Sequence, residues 1–208
     1  MKRLVPIFAL IAVFMAGTAR AQKKVPIPKA YRALAARLDT IYHEDQDGRV
    51  VLMDIFKAEG KSARFDSLAA LLAVKDSLNL LAVRSILDRY GWLGPAEVGG
   101  QGASTLFLVI QHADPATMER YVPLFRAAVK AGKGKAAELA LMEDRILVDK
   151  GQPQIYGSQV KSDPATGKFS FFPIGDERNV NARRASVGLG TIEKYAKEFG
   201  FEYKPAGH

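Results

Sequence analysis

His112 is the side chain of this sequence best placed to move a proton near neutral pH, the range in which an ordinary imidazole titrates. Of the three histidines, His208 is terminal and His43 sits beside Glu44, Asp45 and Asp47. Val109 and Leu108 lie three and four residues before His112, so on a helix one side of the ring faces apolar neighbours. Such a ring needs partners for both nitrogens, and Gln111 and Asp114 are close in sequence. Two roles fit. His112 is a general acid or base oriented by Asp144 or Asp114, or it is a structural tie between a helix end and the next helix.

Asp144 and Arg145 border an apolar stripe, one turn from Ala140 and Leu147 and from Leu141 and Val148 respectively. A charge there must be paired or reach into a polar cleft. A structural ion pair is one reading. The other lets Arg145, or Arg49, hold an anionic substrate group through the planar guanidinium fork. Gln154–Gln159 (Gln-Ile-Tyr-Gly-Ser-Gln) is the least ordinary stretch. Read as a strand, it points Gln154, Tyr156 and Ser158 to one face, a polar recognition surface or a solvated one. Gly157 in its middle predicts a bulge or the close approach of another group.

Other motifs fail on their spacing. Asp45, Asp47, Gly48, Val50 and Asp54 fall on a calcium-loop register, but His43 occupies its first ligand position and no second copy exists. A polar helix end explains the segment as well. Gly60-Lys61-Ser62 has Ile55 where a phosphate-binding loop requires its first glycine. Arg183-Arg184-Ala185-Ser186 resembles a kinase substrate, which an exported chain has little occasion to be. With Cys 0 and one well-placed histidine, the sequence predicts no metal site and no cofactor.

The elements that must position these residues are mostly helical. Tyr31, Leu34, Leu38, Ile41 and Tyr42 mark a helix entered near Pro28, and a second apolar run around Val50–Phe56 follows the acidic segment Glu44–Arg49. Phe65, Leu68, Leu72, Val83, Ile86 and Leu87 predict a long helix to about residue 89. Gly99, Gly100 and Gly102 predict a flexible turn, and Thr105–Ile110 a buried helix ending at Gln111-His112. Asp114-Pro115 then reads as cap and first turn of a helix carrying Met118, Tyr121, Val122, Phe125 and Val129. Another helix passes through Leu139, Met142, Ile146 and Leu147. Gln154–Val160 and Lys168–Ile174, joined by Asp163–Gly167, predict a β-hairpin. Short helices at Val180–Ser186 and Thr191–Phe199 close the chain. The expected fold is mainly α, a helical domain with one β-hairpin near the C-terminal third.

Residues 1–21 read as an export signal. Lys2 and Arg3 precede the apolar run Leu4–Ala16, and Ala19-Arg20-Ala21 supplies the small residues of a cleavage site. The expectation is a periplasmic or secreted protein whose residues 22–208 form a single globular domain, with no stable membrane span after cleavage. The formal charge of +8 over 208 residues loses three basic residues with the signal and falls to +5. The remaining basic residues are interspersed with acids rather than striped, so no nucleic-acid partner is predicted. An exported chain without cysteine must depend on its core, and the 48% hydrophobic content suffices for one.

Several polar blocks follow one another along the chain: Glu44-Asp45-Gln46 with Arg49, Asp76-Ser77-Leu78-Asn79, Tyr90-Gly91-Trp92, Gln111-His112-Ala113-Asp114, Glu143-Asp144-Arg145, Gln154–Gln159, and Arg183-Arg184. Together they resemble the bacterial domain-of-unknown-function family 6624 over about residues 30–200. The resemblance implies a shared fold and no assigned chemistry. It selects polar positions that suit a cleft better than a core. The candidate catalytic set is His112, Asp144 and Arg145. The candidate substrate-binding set is Asp45, Gln46, Arg49, Gln111, Gln154, Tyr156 and Gln159. The favoured function is a metal-independent envelope hydrolase acting on a small-molecule or cell-envelope ligand. The alternative is a non-catalytic module binding a ligand or protein, with a structural His112. The sequence does not specify an oligomeric state.

Overall fold

The computed structural model describes residues 26–163 and 166–204, so the expected export signal lies outside the described residues. As the sequence predicts, the protein is mainly helical with a single two-stranded hairpin among the described residues. The helices are α1 (Arg32–Glu59), α2 (Ala63–Tyr90), α3 (Pro95–Gln111), α4 (Pro115–Lys130), α5 (Ala136–Asp149), α6 (Val180–Ser186) and α7 (Ile192–Glu198). None of them is long and apolar enough to cross a membrane. The chain forms two compact units. The first runs to Ala113 and takes back Lys130–Gly134; the second comprises Asp114–Val129 and the chain from Lys135 onward.

In the first unit α1, α2 and α3 pack pairwise. The acidic segment Glu44–Arg49, expected to separate two helical runs, lies inside α1. Gly48 does not stop the helix, because a Cβ there would collide with the Leu72 side chain of α2. The glycine leaves room for the Leu72 side chain, and the helix pays a modest conformational penalty for it. Continuous helix across residues 43–54 also removes the loop that a calcium reading requires. Leu52, Ile55, Phe65 and Leu72 form the local core between α1 and α2. Ser62 caps α2 by accepting the Phe65 N–H at 3.2 Å.

The glycine-rich segment is a break within helix rather than a flexible turn. Helix begins at Pro95, Gly99 alone leaves helical geometry (φ 77°), and the helix resumes to Gln111. Gly94, just before it, presses against Lys133 so closely that a Cβ would lie 2.9 Å from the lysine Cα. Glu97 accepts the Gly94 N–H at 2.8 Å and the Lys133 ammonium at 2.7 Å.

In the second unit Asp114 caps α4 as its sequence predicts, accepting the Thr117 N–H at 3.0 Å. The hairpin is shorter than expected: β1 (Val160–Ser162) pairs antiparallel with β2 (Phe169–Phe171), with Val160 opposite Phe171. Gln154–Gln159 is irregular backbone, with an isolated bridge from Gln154 to Ile174. Val160, Phe171, Ile174, Val180, Ile192 and Ala196 form a core roofed by half-buried aromatics, among them Phe169, Tyr195 and Phe199. The lone hairpin is stabilised by this packing, since two isolated strands are marginal in water.

Candidate functional site

In the first unit the polar residues are organised by Asp45, which is 2% exposed on α1. Its carboxylate accepts Gln46 Nε2 at 2.6 Å, Arg49 Nη2 at 3.2 Å and His112 Nδ1 at 3.1–3.2 Å. Arg49 lies one turn along α1 and His112 directly follows α3, so the carboxylate binds the two helices together. Burial alone would push the Asp45 carboxyl up. The His112 ring, by hydrogen bond and charge, and the Arg49 guanidinium outweigh it and hold Asp45 far below the usual carboxylate range.

An ionised carboxylate only accepts, so the His112 nitrogen facing it must carry the proton. That contact orients the ring and, in the neutral imidazole, fixes its tautomer. The His112 side chain is 10% exposed. Arg49 also donates to Asp76 of α2 at 2.7 Å, and this carboxylate is 29% exposed. Arg49 is therefore neutralised by two acids, whereas the sequence reading had it receive an anionic substrate group.

In this unit the buried atoms Arg49 Nε, Asn79 Nδ2 and Gln111 Oε1 have no hydrogen-bond partner among the described residues. Asn79 is 1% exposed and Gln111 6%. Buried groups of this kind are uncommon in folded proteins and ask for an explanation.

The second unit holds the other predicted residues in a different arrangement. Asp144 is fully buried, and its carboxylate accepts the backbone N–H groups of Ile155 at 2.7 Å, Tyr156 at 3.0 Å and Ser158 at 2.9 Å. Burial pushes the Asp144 carboxyl up against the pull of these amides. Gln154 folds over the same segment, accepting Gln159 N–H at 2.6 Å and donating to the carbonyls of Gln159 and Phe172. Gln159 donates to the Ser158 hydroxyl. Arg184, 2% exposed, donates to the carbonyls of Tyr156 and Gly190 and lies over the Tyr195 ring. Arg183 donates to the carbonyls of Ile155 and Gly175. The predicted close approach at Gly157 is present: φ is 64°, and a Cβ would meet Ile192 Cδ1 at 2.6 Å and Ile174 Cδ1 at 2.7 Å.

The structure thus joins Asp45, Gln46, Arg49 and His112, with Asp76 added. It separately joins Asp144, Gln154, Tyr156 and Gln159, with Arg183 and Arg184 added. His112 takes its carboxylate from Asp45. Asp114 is engaged by Thr117, whose hydroxyl donates at 2.6 Å and holds the Asp114 carboxyl below its ordinary value. Tyr156 is half-buried, and burial together with Glu143 and Asp144 pushes its phenol up, so it stays neutral near pH 7. Arg145 lies half-buried on α5, one turn from Asp149. The pairing of His112 with Asp45, 67 residues away, left no local sign in the sequence. The described residues contain no group of three or more His, Asp or Glu that could hold a metal.

The model of the family of unknown function DUF6624 matches residues 44–204, and the chain belongs to that family. No curated protein and no solved structure matches it.

Proposed function

We propose that the three-helix unit carries the acid–base site of an exported, metal-independent hydrolase. His112 is the catalytic residue, exchanging a proton through Nε2. Asp45 is a positioning residue that fixes the ring and its tautomer, and Gln46 and Arg49 position Asp45 in turn. The observation that carries the reading is the contact of His112 Nδ1 with a buried carboxylate that two further side chains hold in place. A histidine so oriented can serve as base for an attacking water and then as acid for the leaving group.

The test is turnover of a panel of chromogenic esters and amides by the purified protein. His112→Gln is expected to lower kcat by about a hundredfold or more. Asp45→Asn is expected to lower kcat more than it raises KM and to move the pH profile. An unchanged rate in His112→Gln would overturn the reading.

A second reading is a binding module, favoured by Ile155, which is 38% exposed on a segment whose backbone is clamped by Asp144, Arg183 and Arg184. A rigid exposed apolar side chain suits recognition of a partner. Capture of a partner that Ile155→Asp abolishes and His112→Gln leaves intact would favour it.

A further inference from the structure

Those three unpartnered atoms define the hydrogen-bonding pattern of what belongs beside them. Arg49 Nε and Asn79 Nδ2 are donors, and Gln111 Oε1 is an acceptor. Each sits one step from the His112 network. Arg49 bonds Asp45 and Asp76, Asn79 follows Asp76 by one turn on the same side of α2, and Gln111 precedes His112. Gly48 and Arg49 of α1 meet Leu72 and Asp76 of α2, while Leu52 and Ile55 share a core with Phe65 and Leu72. The two helices therefore run in opposite directions. One turn back from Arg49 on α1 is Asp45, and one turn on from Asp76 on α2 is Asn79. Asn79 thus falls at the level of the carboxylate that holds His112.

We infer that Arg49 Nε, Asn79 Nδ2 and Gln111 Oε1 receive a secondary amide of the substrate, the carbonyl oxygen accepting from the first two and the N–H donating to the third. This rests on the hydrolase reading and names its substrate class. Anions, ammonium groups and esters each leave an atom unmet. A carboxylate or phosphate offers only acceptors, leaves Gln111 Oε1 unpaired and adds negative charge beside Asp45 and Asp76. An ammonium offers only donors and leaves Arg49 and Asn79 unpaired. An ester matches the two donors but has no N–H for Gln111. Where a buried polar group is left unpaired, discrimination against the analogue lacking its partner is strong.

The reaction is hydrolysis. Water adds its oxygen to the amide carbon while one of its protons passes to His112 Nε2. That proton then goes to the leaving nitrogen as the C–N bond breaks, yielding a carboxylic acid and an amine, with no oxidant or reductant.

The experiment follows the side-chain amide resonances of Asn79 and Gln111 by NMR in the full-length protein. The probes are N-methylacetamide, methyl acetate and acetate. The amide is expected to give saturable shifts at both side chains, with the ester and the anion binding about tenfold more weakly or not at all. Asn79→Asp, which lacks the donor, should weaken amide binding about tenfold, and Gln111→Glu, which keeps an acceptor, should weaken it less than Gln111→Met does. Circular dichroism selects variants that fold, and the Gln111 pair stands alone if Asn79→Asp does not. Equal binding of amide and ester, or no saturable shift with any probe (the pattern if ordered water alone fills the site), overturns the inference. His112→Gln separates the two readings. Amide binding without turnover in the wild type defeats the hydrolase and leaves the amide site. Ester turnover without amide binding does the reverse.

Discussion

Two polar networks built from the same residue types are bonded in different ways in this protein. Around Asp144 the side chains bond to backbone: its carboxylate meets three N–H groups, and Arg183, Arg184 and Gln154 meet carbonyls. Around Asp45 they bond to one another, and three buried atoms on neighbouring residues have no partner. A carboxylate saturated by backbone cannot exchange its partners without unravelling the loop that it holds. A carboxylate bonded to a histidine and an arginine can change protonation and partner while its helices stay intact. On the proposed function, the contrast separates architecture from chemistry where composition alone does not.

The largest expected effect falls on the architectural side. Asp144→Ala strands three backbone amides in the interior and should cost about 3–5 kcal/mol, read from urea denaturation. A loss below 1 kcal/mol would erase the distinction between the two networks. Gly157→Ala comes next, at about 2–3 kcal/mol. It combines a left-handed backbone with contacts to Ile174 and Ile192 that must shift. The same measurement checks it.

Asp45→Asn is expected to cost less at pH 7, about 1–2 kcal/mol, and to show its character through pH. The folded carboxyl titrates below its unfolded value, so its contribution is whole above about pH 4 and is lost as pH falls below that. The wild type should therefore lose stability between about pH 4 and pH 2, and Asp45→Asn should flatten that slope. Equal acid slopes in the two proteins would place Asp45 with the architectural carboxylates. The smallest effect belongs to Arg126→Ala, which removes a surface pair with Glu143 (2.8 Å, arginine 56% exposed). A change within about 0.5 kcal/mol is expected, from thermal denaturation.

The helices were legible because their signals are local. Asp114 caps where the sequence places a cap, and the apolar spacing of Phe65–Leu87 yields one long helix. Where the sequence misled, a distant contact decided. Gly48 looks like a helix stop until Leu72 is seen filling the space beside it. Gln154–Gln159 alternates like a strand, yet the N–H groups of Ile155, Tyr156 and Ser158 go to Asp144 and that of Gln159 to the Gln154 side chain, so these four are not offered to a ladder. His112 was identifiable by type and Asp45 as a candidate binding residue, whereas their pairing was not, since only the packing of α1 against α3 brings them together. Arg184 read as part of a surface motif and is an interior clamp.

The return of Lys130–Gly134 to the first unit bears on how the chain is made. Synthesis delivers α1, α2 and α3 first, but Lys133, which binds Glu97 and abuts Gly94, emerges only after the whole of α4. A nascent chain ending at Ala113 has all three helices of the His112 site and lacks the lysine that secures the start of the third. Completion of that unit therefore requires at least 20 further residues, Asp114 to Lys133.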